Sequence, residues 1–486
     1  MNLLRLCAAT SLLCLLAACA APSPEPQTGP DIPARWYAPL PHHGSLTDLS
    51  QWWQQQGDPV LVALIEAAQN QSPTVATAAS RIAQARATRT ISGAALGPTL
   101  DANLSATREP VQTIVSPTGP PPNLVATTIQ GGLQASWEID LFGANRATRD
   151  AAQARLDGAQ AQWHDARVSV AAEVANQYSS LRSCERLLAL SEADATSRGE
   201  TARLADLSAK AGFQAPAVAA LARASAAEGR GRVTQQRALC DVGVKALVAL
   251  TALQEPDLRE KLALASTKYA DFAPISIASV PAQTLVQRPD LFNAEREVAA
   301  ASAELGSAQA QRYPRLTLSG SVGALNYRSA GTSYQSGTWS LGPVALALPL
   351  FDGGRSAANV DSARARYEEA AALYRGKVRQ AVREVEEALV NLQSTAARSD
   401  DAQIAGEGYR ASFKGTEARY QAGLASLVEL EDARRTALAA DTTLVNLQQE
   451  RMAAWVALYR ALGGGWSNTA VAAVAAQGRA DVPPGR

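Results

Sequence analysis

Aromatic residues make up only 5% of this 486-residue chain, and histidine occurs three times. The scarcity of aromatics, with alanine carrying much of the apolar content, suits close-packed helices better than one bulky globular core. His42 and His43 sit in a proline-rich stretch and His164 on a helix, so solvated positions are expected for all three. No Gly-rich Lys-Ser/Thr phosphate loop, metal-ligand spacing or nucleophile elbow occurs. An enzyme, a metal site and a bound cofactor are therefore not expected. Charge of one sign is also lacking, with 45 basic against 45 acidic residues. That balance gives no reason to expect a nucleic-acid partner. Beyond the N-terminus no apolar run is long enough for a transmembrane helix, so a membrane role has to come from strands or from lipid.

What is present starts at the N-terminus. Arg5 precedes an apolar stretch from Leu6 to Leu16, which is too short for a permanent span and reads as a secretory signal, residues 1–18. Leu16-Ala17-Ala18-Cys19 resembles the bacterial lipobox, in which the cysteine becomes lipidated and N-terminal; Ala20 then favours the outer membrane by the same resemblance. Pro22, Pro24, Pro26, Pro30 and Pro33 mark residues 19–50 as an extended tether. Of five cysteines, Cys7 and Cys14 lie in the signal, which leaves Cys184 and Cys240 facing an oxidising compartment.

The body of the chain says one thing twice. Pro73 and Pro289 open helical stretches, Pro98 and Pro314 close them, and both pairs are 216 positions apart. Leu141-Phe142-Gly143 with Arg146 answers Leu350-Phe351-Asp352 with Arg355, and Ala211-Gly212 answers Ala422-Gly423. The first repeat is expected over residues 51–265 and the second over 266–466, with a tail at 467–486. Each repeat holds a strand pair and a helical hairpin, a layout for building a ring from like parts. Residues 144–210 carry Val170, Val174, Tyr178, Leu181 and Leu188 on one face; Val378, Ala381, Val385, Ala388, Leu392 and Thr395 step by three and four, a coiled-coil seam. The hairpins are expected over about 144–253 and 355–462.

Strands are expected at about 99–108, 128–140, 316–328 and 338–350, where apolar and small polar residues alternate; Gly342-Pro343 marks a bulge or a break in that alternation. Turn-rich loops fill 109–127 and 329–337. Each strand is near the ~9–11 residues that cross a bilayer when tilted. Four strands cannot close a membrane barrel, and an open edge in lipid leaves backbone groups unpaired at several kcal/mol each. Two copies would give a filled eight-stranded barrel, and three an open twelve-stranded one. A soluble coiled-coil rod accounts for the helices but not for the strands. Cys184 and Cys240 each lie 28 positions from Gly212, so an antiparallel hairpin sets them opposite one another as a bridge or as two buried thiols.

From about Trp52 to Trp466 the chain resembles the TolC-like outer-membrane efflux factors, in the lipoprotein branch serving resistance-nodulation-division pumps. The matching stretches are Arg288-Pro289-Asp290 with Ala294-Glu295-Arg296; Gly342-Pro343 followed by Leu348 to Arg355; Glu384 to Leu389; Tyr420 with Gly423; and Tyr459 to Trp466. The resemblance implies an α+β membrane protein, a homotrimer whose twelve-stranded outer-membrane barrel continues into a periplasmic helical barrel. It implies passive export of small molecules such as drugs, handed over by a periplasmic adaptor from an inner-membrane pump. An exit duct for ATP-driven protein secretion and a structural coiled-coil lipoprotein stand as alternatives. Family likeness from Tyr420 through Gly423 assigns Arg419, Tyr420, Glu429 and Asp432 to a periplasmic gate; Val218 and Ala425 depart from the acidic and basic residues frequent in relatives.

Overall fold

The computed structural model describes residues 33, 36–38, 52–111, 124–264, 285, 288–329 and 331–466. Cys19, His42, His43 and the tail at 467–486 lie outside them. The elements run α1 (Trp52–Gln55), α2 (Pro59–Gln71), α3 (Pro73–Ala94), β1 (Thr99–Val111), β2 (Leu124–Ile139), α4 (Ala144–Lys210), α5 (Pro216–Thr251), α6 (Glu255–Leu264), α7 (Pro289–Ala310), β3 (Arg315–Ser329), β4 (Thr332–Ala347), α8 (Arg355–Gln421) and α9 (Leu427–Ala461). The order helix, strand pair, long helix, shorter helix occurs twice. Its helices have 22, 67 and 36 residues the first time and 22, 67 and 35 the second. No described helix is long and apolar enough to cross a membrane.

The described residues divide into two compact units, one comprising Arg81–Ala159 with Asn293–Tyr374 and the other the remainder. The first unit holds the sheet, four antiparallel strands in the order β1-β2-β3-β4. The strands outrun their expected ends on the loop side, so the β1–β2 connection shrinks to 112–123 and β3 turns into β4 at residues 330–331. Alternation of side-chain polarity fades there, but the backbone ladder continues, because pairing does not require an apolar face.

Register divides the side chains cleanly. One face carries Leu100, Ala102, Leu104 and Ala106 of β1, opposite Ala135, Leu133, Gly131 and Ile129 of β2. Trp137, Leu133 and Ile139 of β2 stand opposite Leu318, Val322 and Leu316 of β3, which in turn face Val344, Trp339 and Leu346 of β4. Leu104 is 80% exposed and Trp339 81%, so this apolar face has no cover among the described residues. The other face carries Asn103, Ser105, Gln130, Gln134, Ser319, Ser321 and Ser340, paired along the same rows. In β4 the apolar set changes from odd to even numbers between Leu341 and Val344. The register explains it: Leu318 pairs Val344 and Gly320 pairs Leu341, so two residues, Gly342 and Pro343, oppose Ser319 alone. This bulge keeps the apolar face continuous across a parity change. On the polar face Gly132 pairs Gly323; a Cβ on Gly132 would meet the Val322 carbonyl oxygen at 2.8 Å, so only glycine fits.

The second unit is built on long helices. Val170, Val174, Tyr178 and Leu181 of α4 are buried with Val385, Ala388, Leu389 and Leu392 of α8 and with Trp455 and Leu458 of α9 in one apolar cluster. Cys184 of α4 and Cys240 of α5 are bonded as a disulfide with Cα atoms 5.5 Å apart. His164 is half-buried rather than solvated; burial, with Arg167 nearby, holds its imidazole pKa below the usual range. Part of the expected tether is packed: Trp36 is buried in the same cluster, and the backbone amides of Tyr37 and Ala38 donate to the Glu386 carboxylate at 2.6 and 2.7 Å. Gly463–Gly465 forms a tight turn that leaves Trp466 buried against Phe292.

Arg288 explains the Arg-Pro-Asp stretch. Pro289 opens α7, and the buried Arg288 guanidinium donates to Asp290 at 3.0 and 2.8 Å, pairs with Glu384 of α8 at 2.9 Å, and donates to the Ala461 carbonyl ending α9 at 2.9 Å. One side chain thus ties three elements. Burial pushes the Asp290 carboxyl up, but the hydrogen bond and charge of Arg288 outweigh it, and its pKa ends below the usual aspartate range. Replacing Arg288 by Met leaves the half-buried Asp290 carboxylate without its bonded cation and should cost about 1–3 kcal/mol. Thermal melting of the wild type and Arg288→Met at neutral pH measures it. Because the folded-state pKa of Asp290 is depressed, its contribution is full above the ordinary aspartate range and disappears as pH falls through the lower folded value. The gap between the two proteins should therefore close in acid, and a gap independent of pH would refute this assignment.

Candidate functional site

Two features have the character of a site, the two-faced sheet and the ends of the two hairpins. Each hairpin turns at glycine in the left-handed region, Gly212 with φ 79° and Gly423 with φ 76°. The turns close alike, Phe213 N–H donating to the Ser208 carbonyl and Leu424 N–H to that of Arg419. These are the bonds that satisfy orphan carbonyls at a helix end. Phe213 is 86% exposed and Leu424 69%, so both turns offer an apolar side chain to solvent.

The expected gate residues gather at the second turn with local duties. Arg419 donates to the Leu424 carbonyl at 3.1 Å. Tyr420 is half-buried against the cluster containing Leu427 and Leu430. Ser426 and Glu429 form a capping box: Ser426 Oγ accepts from Glu429 N–H at 3.2 Å, and the Glu429 carboxylate accepts from Ser426 N–H at 2.6 Å. The backbone bond from Ser426, then its hydroxyl, and the charge of Arg419 hold the Glu429 pKa below the usual range. Asp432 is exposed one turn on and pairs with Arg435 at 2.5 Å. Glu429 and Asp432 are both exposed, but Arg419 and Arg435 stand beside them, so the second turn is charge-balanced.

A second cluster was missed in the sequence. Buried Arg198 of α4 pairs with Asp194 at 2.9 Å and with Glu431 of α9 at 2.5 Å, and Glu431 also accepts from Ser225 of α5 at 2.9 Å. Arg434, 3% exposed, pairs with Glu431 and donates to Ser197 and Thr201 of α4, each at 3.0 Å. Burial pulls the Arg434 pKa down. The signal was there: Leu427, Leu430, Arg434 and Ala437 step by three and four, so Arg434 stands on the buried stripe of α9. Such a network contributes little net stability once desolvation is counted, but it fixes which helix faces meet. Among the described residues no group of His, Cys, Asp and Glu could hold a metal ion.

A sheet with an uncovered apolar face and an opposed polar one, carried on duplicated helical hairpins, defines a class of outer-membrane channel proteins. The chain belongs to the outer membrane efflux protein family, which it matches over residues 64–253 and 280–464. It is 30% identical to the pyoverdine export outer membrane protein OpmQ of Pseudomonas aeruginosa over 461 residues, covering 94% of this chain and 96% of that one. To the solvent efflux pump outer membrane protein SrpC of Pseudomonas putida it is 30% identical, over 84% of this chain and 86% of that one. Among solved structures, the outer-membrane channel OprN superimposes with a TM-score of 0.76 at 26% identity, over 90% of this chain and 99% of that one. The outer membrane protein VceC of Vibrio cholerae does so at 0.73 and 28%, over 87% and 100%. The protein is an α+β outer-membrane efflux channel and not an enzyme.

Proposed function

We propose that three copies of this chain form the exit duct of a tripartite efflux system, passing small molecules from an inner-membrane pump and its periplasmic adaptor across the outer membrane. One observation carries it: a four-stranded sheet with an exposed face that is apolar from Ile139–Leu316 to Ala106–Ile129, and two edge strands, β1 and β4, each without a partner on its outer side. In lipid those edges must be paired, and the β4 edge of one copy against β1 of the next closes the ring. Three copies give twelve strands and a water-filled lumen lined by the small polar side chains of the other face. The two repeats, 51–265 and 266–466, each supply one strand pair and one hairpin to this ring. Relatives are named for pyoverdine export and for solvent efflux, which fits a duct whose cargo is set by its pump. Native mass spectrometry should give a trimer with ion conductance in a planar bilayer. A stable monomer without conductance would refute the duct.

The periplasmic end of this duct is gated at Arg419, Tyr420, Glu429 and Asp432. In the trimer Glu429 and Asp432 become rings of three carboxylates balanced by Arg419 and Arg435. The double variant Glu429→Gln/Asp432→Asn keeps an acceptor for the Ser426 amide and removes both charges. Its single-channel current should rise or shift toward anions. Unchanged conductance and selectivity would exclude these residues from the gate. The depressed pKa of Glu429 means that wild-type selectivity persists as pH falls to the lower end of the glutamate range.

Two covalent features complete the reading. Export through the signal at 1–18 leaves Cys19 as a lipidated N-terminus, since Leu16-Ala17-Ala18-Cys19 has the small residues that processing needs. Mass spectrometry of the mature N-terminus should find acyl chains on Cys19, and an unmodified terminus elsewhere would exclude it. The Cys184–Cys240 bridge joins α4 to α5 in the mature protein and contributes about 2–4 kcal/mol. Thiol labelling of the unreduced trimer should leave both residues unmodified, whereas two reactive thiols would rule the bridge out.

A further inference from the structure

The apolar sheet face carries only two charges, and both are arginines in one row. Reading across the register, Arg108 of β1 pairs Thr127 of β2, which pairs Arg328 of β3, which pairs Ser333 of β4. Directly paired residues share a face, and Arg108 follows Ala106, Leu104, Ala102 and Leu100 on it. The remaining charged residues of the strands, Asp101, Glu109, Glu138 and Arg315, have the other parity and stand on the polar face. Both arginines are exposed, and neither has an ion pair or side-chain hydrogen bond among the described residues. The 112–123 connection beside them contains no acidic residue.

Depth follows from the same register. The apolar rows run from Ile139–Leu316 to Ala106–Ile129, where Asn326 of β3 and Gln335 of β4 complete the last row and mark the edge of the apolar band. Ten residues of strand at about 3.4 Å each, tilted by about 45°, make a band roughly 24 Å tall, the height of a bilayer's apolar layer. The arginine row lies two residues further, about 5 Å outside that band and among the headgroups. It is at the strand ends remote from α3, α4 and α8, which are periplasmic in this family, and so in the outer leaflet. Two strand spacings separate Arg108 from Arg328, roughly 10 Å between Cα atoms.

We propose that Arg108 and Arg328 form a binding site for the phosphate groups of the phosphorylated glucosamine lipid of the outer leaflet, one site per protomer and three around the barrel. The chemistry is that of the guanidinium fork, which meets a phosphate with two parallel N–H···O bonds. An outward-facing arginine pair at lipid depth would otherwise leave unneutralised charge at the edge of hydrocarbon, and a phosphorylated headgroup supplies the counter-charge there. Aliphatic arms lying along the apolar rows, with heads in the polar layer, suit arginine at this depth. The site depends on the barrel and its orientation but not on the gate or on the transported cargo.

The test is native mass spectrometry of the detergent-solubilised trimer titrated with bisphosphorylated lipid A, dephosphorylated lipid A and inorganic phosphate. The wild type should retain up to three bisphosphorylated lipids. The Arg108→Gln/Arg328→Gln trimer should bind them at least about tenfold more weakly, the worth of a lost charge-assisted pair. Dephosphorylated lipid should bind both proteins equally and weakly, and millimolar inorganic phosphate should not displace the bound lipid. Arg315→Gln, on the polar face, should bind as the wild type does. Equal binding by the wild type and the double variant overturns the site, as does an equal loss in Arg315→Gln, which would mean that net charge alone was read. Ready displacement by phosphate overturns the lipid assignment in favour of a free-anion site. If the double variant does not assemble, Arg108→Gln and Arg328→Gln are titrated singly. Partial loss in each is expected, and no loss in either refutes the proposal. A loss of conductance with lipid binding intact would instead strike at the duct, so the two readings fail separately.

Discussion

A backbone N–H or C=O placed in hydrocarbon has no water to turn to, and this one constraint organises the molecule. It forbids the four-stranded sheet from standing alone with its β1 and β4 edges open in lipid. It requires every copy to offer the same two edges to its neighbours, so the assembly is a closed ring of identical contacts. The constraint also fixes the strand faces. Because side chains alternate strictly, an apolar exterior brings a polar interior with it, and Leu104 outside entails Asn103 and Ser105 inside. A water-filled lumen is thus a by-product of satisfying lipid. The bulge at Gly342-Pro343 shows how firmly this holds. An extra residue in β4 would have turned Val344 and Leu346 inward, and pairing two residues against Ser319 restores them to the outer face.

Much of this was legible in the sequence because periods of two and of three-to-four are direct records of which side faces what. Val378, Ala381, Val385, Ala388 and Leu392 read as a seam and are all buried. Helix starts at Pro73 and Pro289 were written in the chain, since proline suits the first turn, and Ser72 before Pro73 has a hydroxyl that accepts from the helix end. What failed to show was long-range and polar. Nothing local says that Glu386 accepts the amides of Tyr37 and Ala38 nearly 350 positions away, so this part of the tether read as free chain. Three consecutive glycines carry no periodicity to read; in the fold their positive φ angles, 77°, 61° and 83°, make a turn that favours glycine and leaves Trp466 buried. The strand ends were misjudged because hydrophobic alternation reports the depth of lipid, while the ladder itself runs on past it.

Charged motifs were the hardest to weigh. Glu429 and Asp432 stood out by family likeness, yet the structure gives Glu429 a cap to hold and Asp432 a partner in Arg435. Either residue can still present charge to a lumen, but neither was free to be selected for charge alone. Arg288 is a second case, a residue noticed for family likeness whose role is mechanical. Its fork reaches Asp290, Glu384 and the last carbonyl of α9 from a single buried position. Lysine has the charge for this and lacks the planar fork, so the joint calls for arginine.

The two repeats share a plan and differ in how their hairpins are secured, and the difference bears on which can move. In the first hairpin a covalent bridge joins α4 to α5 at Cys184 and Cys240, and Asp194 pairs with Arg198 and with Arg232 of α5 a few turns further on. No such bridge joins α8 to α9. There Arg410 pairs with Asp441 and Arg398 with Glu450, both half-exposed, and exposed pairs of this kind contribute little. The strongest polar hold on α9 comes from the other repeat, since Glu431 and Arg434 are bonded to Arg198, Ser197 and Thr201 of α4. Near its turn the second hairpin is therefore positioned by polar bonds to the first. Far from its turn α9 is held to α8 by apolar burial at Trp455 and Leu458, whereas near its turn the polar hold is one set of buried bonds, which is best made or released together. Partial release is the costly state, because it would leave Arg434 buried with its acceptors gone.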